Sequence, residues 1–362
     1  MKTVTKNTQL KRVIVNGFKS INKCNLELGA LNILIGANGS GKSNFIGFFT
    51  MIQQMLEQAL QNYVGLQGGP DAILHFGRKR TEKLESELYF GENGYKFSLE
   101  PTQDNRFMFN KESFYWETSG DHSLGKDHFE SKMEEGTSAG IDEYVINAMR
   151  NWRVYHFHDT SETARIKQLS EINDYIYLKH DARNLAAYLY LLKMKYRSNY
   201  DQIIKLIRLA NPFFNDFRLH PYAVNKSLIE LEWTQNGSTL PFKAYQLSDG
   251  TLRFICLITV FLQPEDKCPD TILIDEPELG LHPYAIKLLA SIIKSVSFTK
   301  QIIVSTQSVE FIDEFDVEDI IVVDREEDRS IFRRLQETEF SQWLEEYSIG
   351  ELWKKNILGG RP

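Results

Sequence analysis

The chain has 362 residues, of which 42% are hydrophobic and 25% charged, and its net charge is -7. That length can bury one large core or two smaller ones, and the composition excludes a disordered or fibrous chain. The negative balance argues against a protein coated in nucleic acid, while a local basic groove stays open.

Cys24, Cys256 and Cys268 show no CxxC spacing and read as buried thiols in a reducing compartment. Residues 1–13 carry charge without an apolar stretch, so a secretory signal is not expected. The strongest apolar run, residues 254–262, is too short to span a bilayer. A cytoplasmic protein with no membrane association is expected.

Residues 13–15 and 31–35 are apolar runs of β type, and the second runs straight into glycine, as a buried strand ending in a loop does. Beyond it Phe45, Phe48, Phe49, Ile52, Met55 and Leu56 recur at helical spacing. Residues 84–90 and 95–100 predict a hairpin about Glu92, Asn93 and Gly94. Residues 121–139 are polar and predict an exposed segment. A helix over 185–211 follows from Leu185, Leu189, Leu192, Ile203, Ile204 and Ile207, and Pro212 stops it.

A second hairpin is predicted from 228–234 and 240–244, about Asn236 and Gly237. The last third returns to α/β rhythm: helix 255–262, strand 271–274, helix 284–296, then strands 302–304 and 320–323. No internal repeat is visible. The order predicts an α/β core built from both ends of the chain. Residues 1–100 form its first half, 101–245 an inserted lid, 246–335 its second half and 336–362 a tail.

Residues 36–43, GANGSGKS, fit the phosphate-loop pattern in full. Gly36, Gly39 and Gly41 let backbone N–H groups, with those of Asn38 and Ser40, turn inward around anionic phosphate. The following helix adds its positive N-terminal end. Lys42 reaches the β- and γ-phosphates of ATP in this pattern, and the Ser43 hydroxyl ligates Mg²⁺. The plain alternative is a glycine-rich turn before a helix.

The apolar strand 272–274 ends in Asp275 and Glu276. A strand buried on both faces delivers its last residues to the sheet edge where ligands bind. Asp275 is then the magnesium-side carboxylate and Glu276 the general base that polarises the attacking water. A solvated strand end is the alternative.

Residues 247–253, LSDGTLR, precede a helix, and they resemble the signature motif of ABC-type ATPases. In that family the serine and glycine of this motif, here Ser248 and Gly250, cap the γ-phosphate bound to the opposite subunit. Capping its own helix is the alternative use of Ser248. Residues 277–283 stand where these proteins carry the loop that crosses the dimer interface. Gln307 stands where most have a switch histidine. Glutamine can hydrogen-bond phosphate or water but cannot carry a proton near neutral pH.

Together these motifs resemble the ABC-type ATPases of the RecF, SMC and overcoming-lysogenization-defect group. VIVNGFKS at 13–20, GGPDAILHFGRKRT at 68–81, YHFHDTS at 155–161, DEPELGLHP at 275–283 and YSIGELWKKNILGGRP at 347–362 are similar to a bacterial family of predicted RecF-like ATPases. The resemblance implies an α/β P-loop NTPase of ABC-ATPase type, with a split core and an inserted lid subdomain. It implies a homodimer with two ATP molecules sandwiched between the phosphate loop and the opposing signature. DNA repair or genome maintenance on duplex DNA is one implied role. Antiviral defence beside a separately encoded nuclease is the other.

No sustained heptads interrupt the chain, so long coiled-coil arms are not expected, and no intrinsic nuclease domain is expected either. A transporter subunit fits poorly, because of the lid and the altered signature. His156 and His158 share a strand face, yet two ligands fall short of a metal site. The cluster Arg78, Lys79 and Arg80 and the set Lys193, Lys195 and Arg197 read either as solvated charge or as phosphate contacts.

Overall fold

The computed structural model describes residues 9–136, 140–238 and 240–360. Parts of the stretches read above at 1–13, 121–139 and 347–362 lie outside these. The chain divides into two compact units, one of Met1–Val154, Asp270–Leu273 and Thr299–Pro362, the other of Tyr155–Pro269 and Ile274–Phe298.

The first unit is built on the helix Lys42–Leu56, which has a sheet on either side. One sheet is antiparallel, in the order Ile21–Glu27, Arg12–Phe18, Leu84–Phe90, Asn93–Pro101, Phe107–Trp116 and Gly120–Gly125. The other runs Arg329–Arg334, Ile320–Glu326, Leu31–Ile35, Gln301–Thr306, Thr271–Asp275 and Trp152–Tyr155. In it Leu31–Ile35 pairs in parallel with both Gln301–Thr306 and Ile320–Glu326. Each residue of Leu31–Ile35 is buried, as its unbroken apolar run requires.

Phe45, Phe48, Phe49 and Ile52 of the helix share one core with Val13, Val15 and Leu88 of the first sheet and with Leu34, Ile303 and Ile321 of the second. Edge-to-face contact of Phe49 with Trp152, at 5.2 Å between ring centroids, fixes the helix rotation.

The second unit contains the helices Leu185–Lys195, Arg197–Ala210, Asp249–Phe261 and Pro283–Ser297, with a small sheet of Phe214–Arg218, Glu232–Gln235 and Pro241–Lys243. Trp233 stacks on Phe214 at 5.8 Å inside that sheet. The Tyr200 hydroxyl donates to Asp216 Oδ1 at 2.6 Å, and Lys193 Nζ donates to Asp216 Oδ2 at 3.1 Å. Burial raises the Tyr200 phenol well above its ordinary pKa.

Four differences from the sequence reading stand out. The single helix expected over 185–211 is two helices, broken at Tyr196 with φ -128 and ψ 55. The stretch expected to be exposed from 121 includes the strand Gly120–Gly125, paired along Glu112 to Trp116. The structural division falls at Val154 and Tyr155 rather than at residue 101, because Phe107–Trp116 continues the antiparallel sheet. The signature helix Asp249–Phe261 also falls with residues 155–245, where the reading placed it in the core. Among the described residues no helix is long and apolar enough to cross a membrane.

Candidate active site

The strand Leu31–Ile35 ends at Gly36, and the chain turns through residues 37–41 into the helix Lys42–Leu56. Gly41 is the N-cap, at φ 116. A Cβ there would come 2.1 Å from Ser330 Oγ and 2.7 Å from Ser20 Oγ, so only glycine fits. Among the described residues no side chain caps this helix, and its first turn holds no acidic residue. Its N-terminal N–H groups and positive dipole end are therefore available to an anion.

Lys42 is buried, and its Nζ donates to the carbonyls of Gly36 at 2.7 Å and Ala37 at 2.9 Å. The ammonium is thereby folded over the loop. Ser40 Oγ is buried and has no hydrogen-bond partner among the described residues, while Asn38, Gly39 and Ser43 are exposed. A glycine cradle, an uncapped helix, an inward lysine and an orphaned buried hydroxyl fit the phosphate chain of a nucleotide. Ser43, in the helix's first turn, offers a hydroxyl of the kind Mg²⁺ takes beside substrate phosphates. Gln307 follows the buried strand Gln301–Thr306 and is half-buried.

The carboxylates close the strand Thr271–Asp275, which is buried throughout. Glu276 adopts φ 45, a left-handed conformation rare outside glycine. His158 Nε2 lies 3.0 Å from the Asp275 carbonyl oxygen. Burial, more than any other cause, lowers the pKa of His156, with the Asp275 charge opposing it. Among the described residues no group of three or more histidine, cysteine or carboxylate ligands is assembled, at His156 and His158 or elsewhere.

Ser248 is the N-cap of Asp249–Phe261, and its Oγ accepts from Thr251 N at 3.2 Å. A Cβ on Gly250 would lie 2.1 Å from Gly280 O, so the signature helix touches the backbone of the 277–281 turn directly. Arg253 ties these pieces together. Its guanidinium donates to Leu279 O at 3.1 Å, Phe157 O at 3.1 Å and His158 O at 2.9 Å.

Lys42, Ser43 and Gln307 belong to the first unit, and Asp275, Glu276, Ser248 and Gly250 to the second. Of the basic residues, Arg78 pairs with Asp71 at 3.0 Å, and Arg80 pairs with Asp328 and covers the Phe76 ring at 4.7 Å. Arg197 pairs with Asp201 at 2.9 Å. Sequence reasoning gave no site role to Ser20, Asp324, Arg325, Ser330 and Gly360, which surround the phosphate loop. The hairpin of Ile320–Glu326 with Arg329–Arg334 brings Asp324, Arg325 and Ser330 there, the turn before Ile21–Glu27 brings Ser20 and the returning C-terminal segment brings Gly360.

This loop in this sheet defines a P-loop NTPase fold of the AAA-domain type. The chain belongs to the family described as "AAA domain, putative AbiEii toxin, Type IV TA system", which matches residues 31–313. Among solved structures, it resembles an SMC head bound to the C-winged helix domain of ScpA, with a TM-score of 0.62 and 18% identity over 91% of this chain and 99% of that one. It also resembles the Pyrococcus furiosus SMC head with an extended coiled coil, bound to the C-terminal domain of ScpA, with a TM-score of 0.57 and 18% identity over 93% and 98%. At these identities the likeness is one of fold. No curated protein matches the chain.

Proposed function

We propose that the protein is a Mg²⁺-dependent ATP hydrolase that works as a homodimer. Lys42 and the loop amides of Gly36, Asn38, Gly39, Ser40 and Gly41 hold the phosphates. Ser43 and Asp275 hold the metal, which neutralises the charge developing on the transferred phosphoryl group. Glu276 takes a proton from the attacking water. Gln307 orients that water or the γ-phosphate through its amide. Ser248 and Gly250 complete the partner subunit's site, so that hydrolysis opens the dimer.

The observation that carries this reading is the uncapped helix behind the glycine loop, with Lys42 folded over it. Its test is Glu276→Gln, assayed for turnover and retained ATP. The expected result is a loss of turnover of about 10²- to 10⁴-fold with ATP still bound. Hydrolysis at the normal rate removes Glu276 as the base.

The cycle has two candidate uses. The family description, with its AbiEii toxin, favours a defence ATPase acting with a separately encoded nuclease. The SMC-head fold favours genome maintenance of RecF type on duplex DNA. Co-purification with the product of a neighbouring nuclease gene supports the first use. ATP-dependent, salt-sensitive binding to duplex DNA, without such a partner, supports the second.

A further inference from the structure

The strands Ile320–Glu326 and Arg329–Arg334 form a hairpin along the phosphate loop. Val323 O stands 2.1 Å from where a Cβ on Gly36 would be. Ser330 Oγ donates to Ser40 O and fills the space beside Gly41. Arg325 Nη1 donates to Gly39 O at 3.3 Å. The hairpin is thus a second wall of the cradle, and it puts one cation at the loop's apex.

That cation is uncommitted. Asp324, its neighbour, is occupied by backbone: Oδ1 accepts the Arg325 N–H at 2.8 Å and Oδ2 accepts the Gly360 N–H at 3.1 Å. Arg325 is exposed, and among the described residues no carboxylate pairs with it. Among the described residues its one side-chain bond is long and goes to a neutral carbonyl. The apex is also open, since among the described residues nothing lies within 4 Å of a Cβ built on Gly39. A guanidinium bond to phosphate is roughly twice as strong as a neutral one.

We propose that Arg325 is a nucleotide-contacting residue, which leaves Gly39 O and binds the polyphosphate of the nucleoside triphosphate held by Lys42. Asp324 and Gly360 hold the strand end that aims it. This rests on the ATP reading above.

The test is calorimetric titration of the full chain with ATP in the presence of Mg²⁺, together with steady-state hydrolysis. Glutamine at 325 can still donate to Gly39 O but carries no charge, so Arg325→Gln separates a loop brace from an anion contact. The expected result is ATP bound about tenfold more weakly, KM raised more than kcat is lowered, and an unchanged unfolding midpoint. Arg325→Lys keeps the charge and should recover most of the affinity. Arg325→Gln binding ATP within about twofold of the wild type overturns the proposal. Equal ATP binding by the wild type and Lys42→Ala overturns the ATP cradle itself, and this proposal with it.

Discussion

Glu276 holds a left-handed conformation at φ 45, where a non-glycine residue costs on the order of 1–3 kcal/mol. The strain is kept at the residue after a fully buried strand, where the turn sets the direction of its carboxylate. Glu276→Gly relieves the strain and removes the carboxylate proposed as the base. We predict a stability gain of about 1 kcal/mol in chemical denaturation, less than the full strain because glycine loosens the unfolded chain, together with loss of ATP turnover. A destabilised variant would show that the conformation is unstrained here.

The thiols follow the same local logic. Burial pushes the Cys24 thiol up to about 12 and raises that of Cys256 further, while Cys268 is only half-buried. A raised pKa keeps a thiol protonated at pH 8, and the thiolate is the reactive form. A maleimide at pH 8 should therefore label Cys268 in the folded protein, and Cys24 and Cys256 only after unfolding. Rapid labelling of all three in the folded protein would contradict this burial.

At the scale of elements, the signature helix does two jobs with one turn. Ser248 caps it, and Gly250 lets it meet Gly280 O. Ser248→Ala should cost about 1 kcal/mol, the usual worth of a serine cap. Gly250→Ala places a methyl where Gly280 O stands, 2.1 Å away, and must push the 277–281 turn off the helix. That overpacking should cost about 1–3 kcal/mol and lower turnover more than Ser248→Ala does. Equal turnover in the two variants would count against any role of this contact in the site.

The elements that sequence foretold were those with one strong local cause. Leu31–Ile35 is apolar throughout and runs into glycine, and the two apolar runs of the hairpin are the strands Leu84–Phe90 and Asn93–Pro101, although it turns at Gly91 and Glu92 while Asn93 and Gly94 pair with Phe90 and Tyr89. The break at Tyr196 has no such cause. No proline or glycine marks it, and the Lys193, Tyr200 and Asp216 cluster packs around it. The strand Gly120–Gly125 was equally hidden, since its sequence is polar and its place comes from pairing with Phe107–Trp116. The site divides the same way. Lys42, Asp275 and Glu276 carry motif spacing, whereas Arg325 reaches the loop only because Ile320–Glu326 lies beside Leu31–Ile35.

For the whole molecule, the open question is which subunit Ser248 serves. Its Oγ accepts from Thr251 N, which is the bond of an ordinary helix cap. The cap is exposed, however, and so is Asp249 beside it, with Gly250 half-buried, so the cap is open to a second copy. An arginine at 248 cannot cap in the same way and adds bulk and charge at that surface. If the serine works only within its own chain, Ser248→Arg loses a cap and nothing else. If it closes the partner's site, the variant binds ATP yet cannot form the sandwich. We predict the second outcome. Sedimentation of Glu276→Gln with ATP and Mg²⁺ should give a dimer, and of Glu276→Gln with Ser248→Arg a monomer that binds ATP within about twofold of the single variant. A dimer in the same proportion from the double variant would return Ser248 to the role of a helix cap.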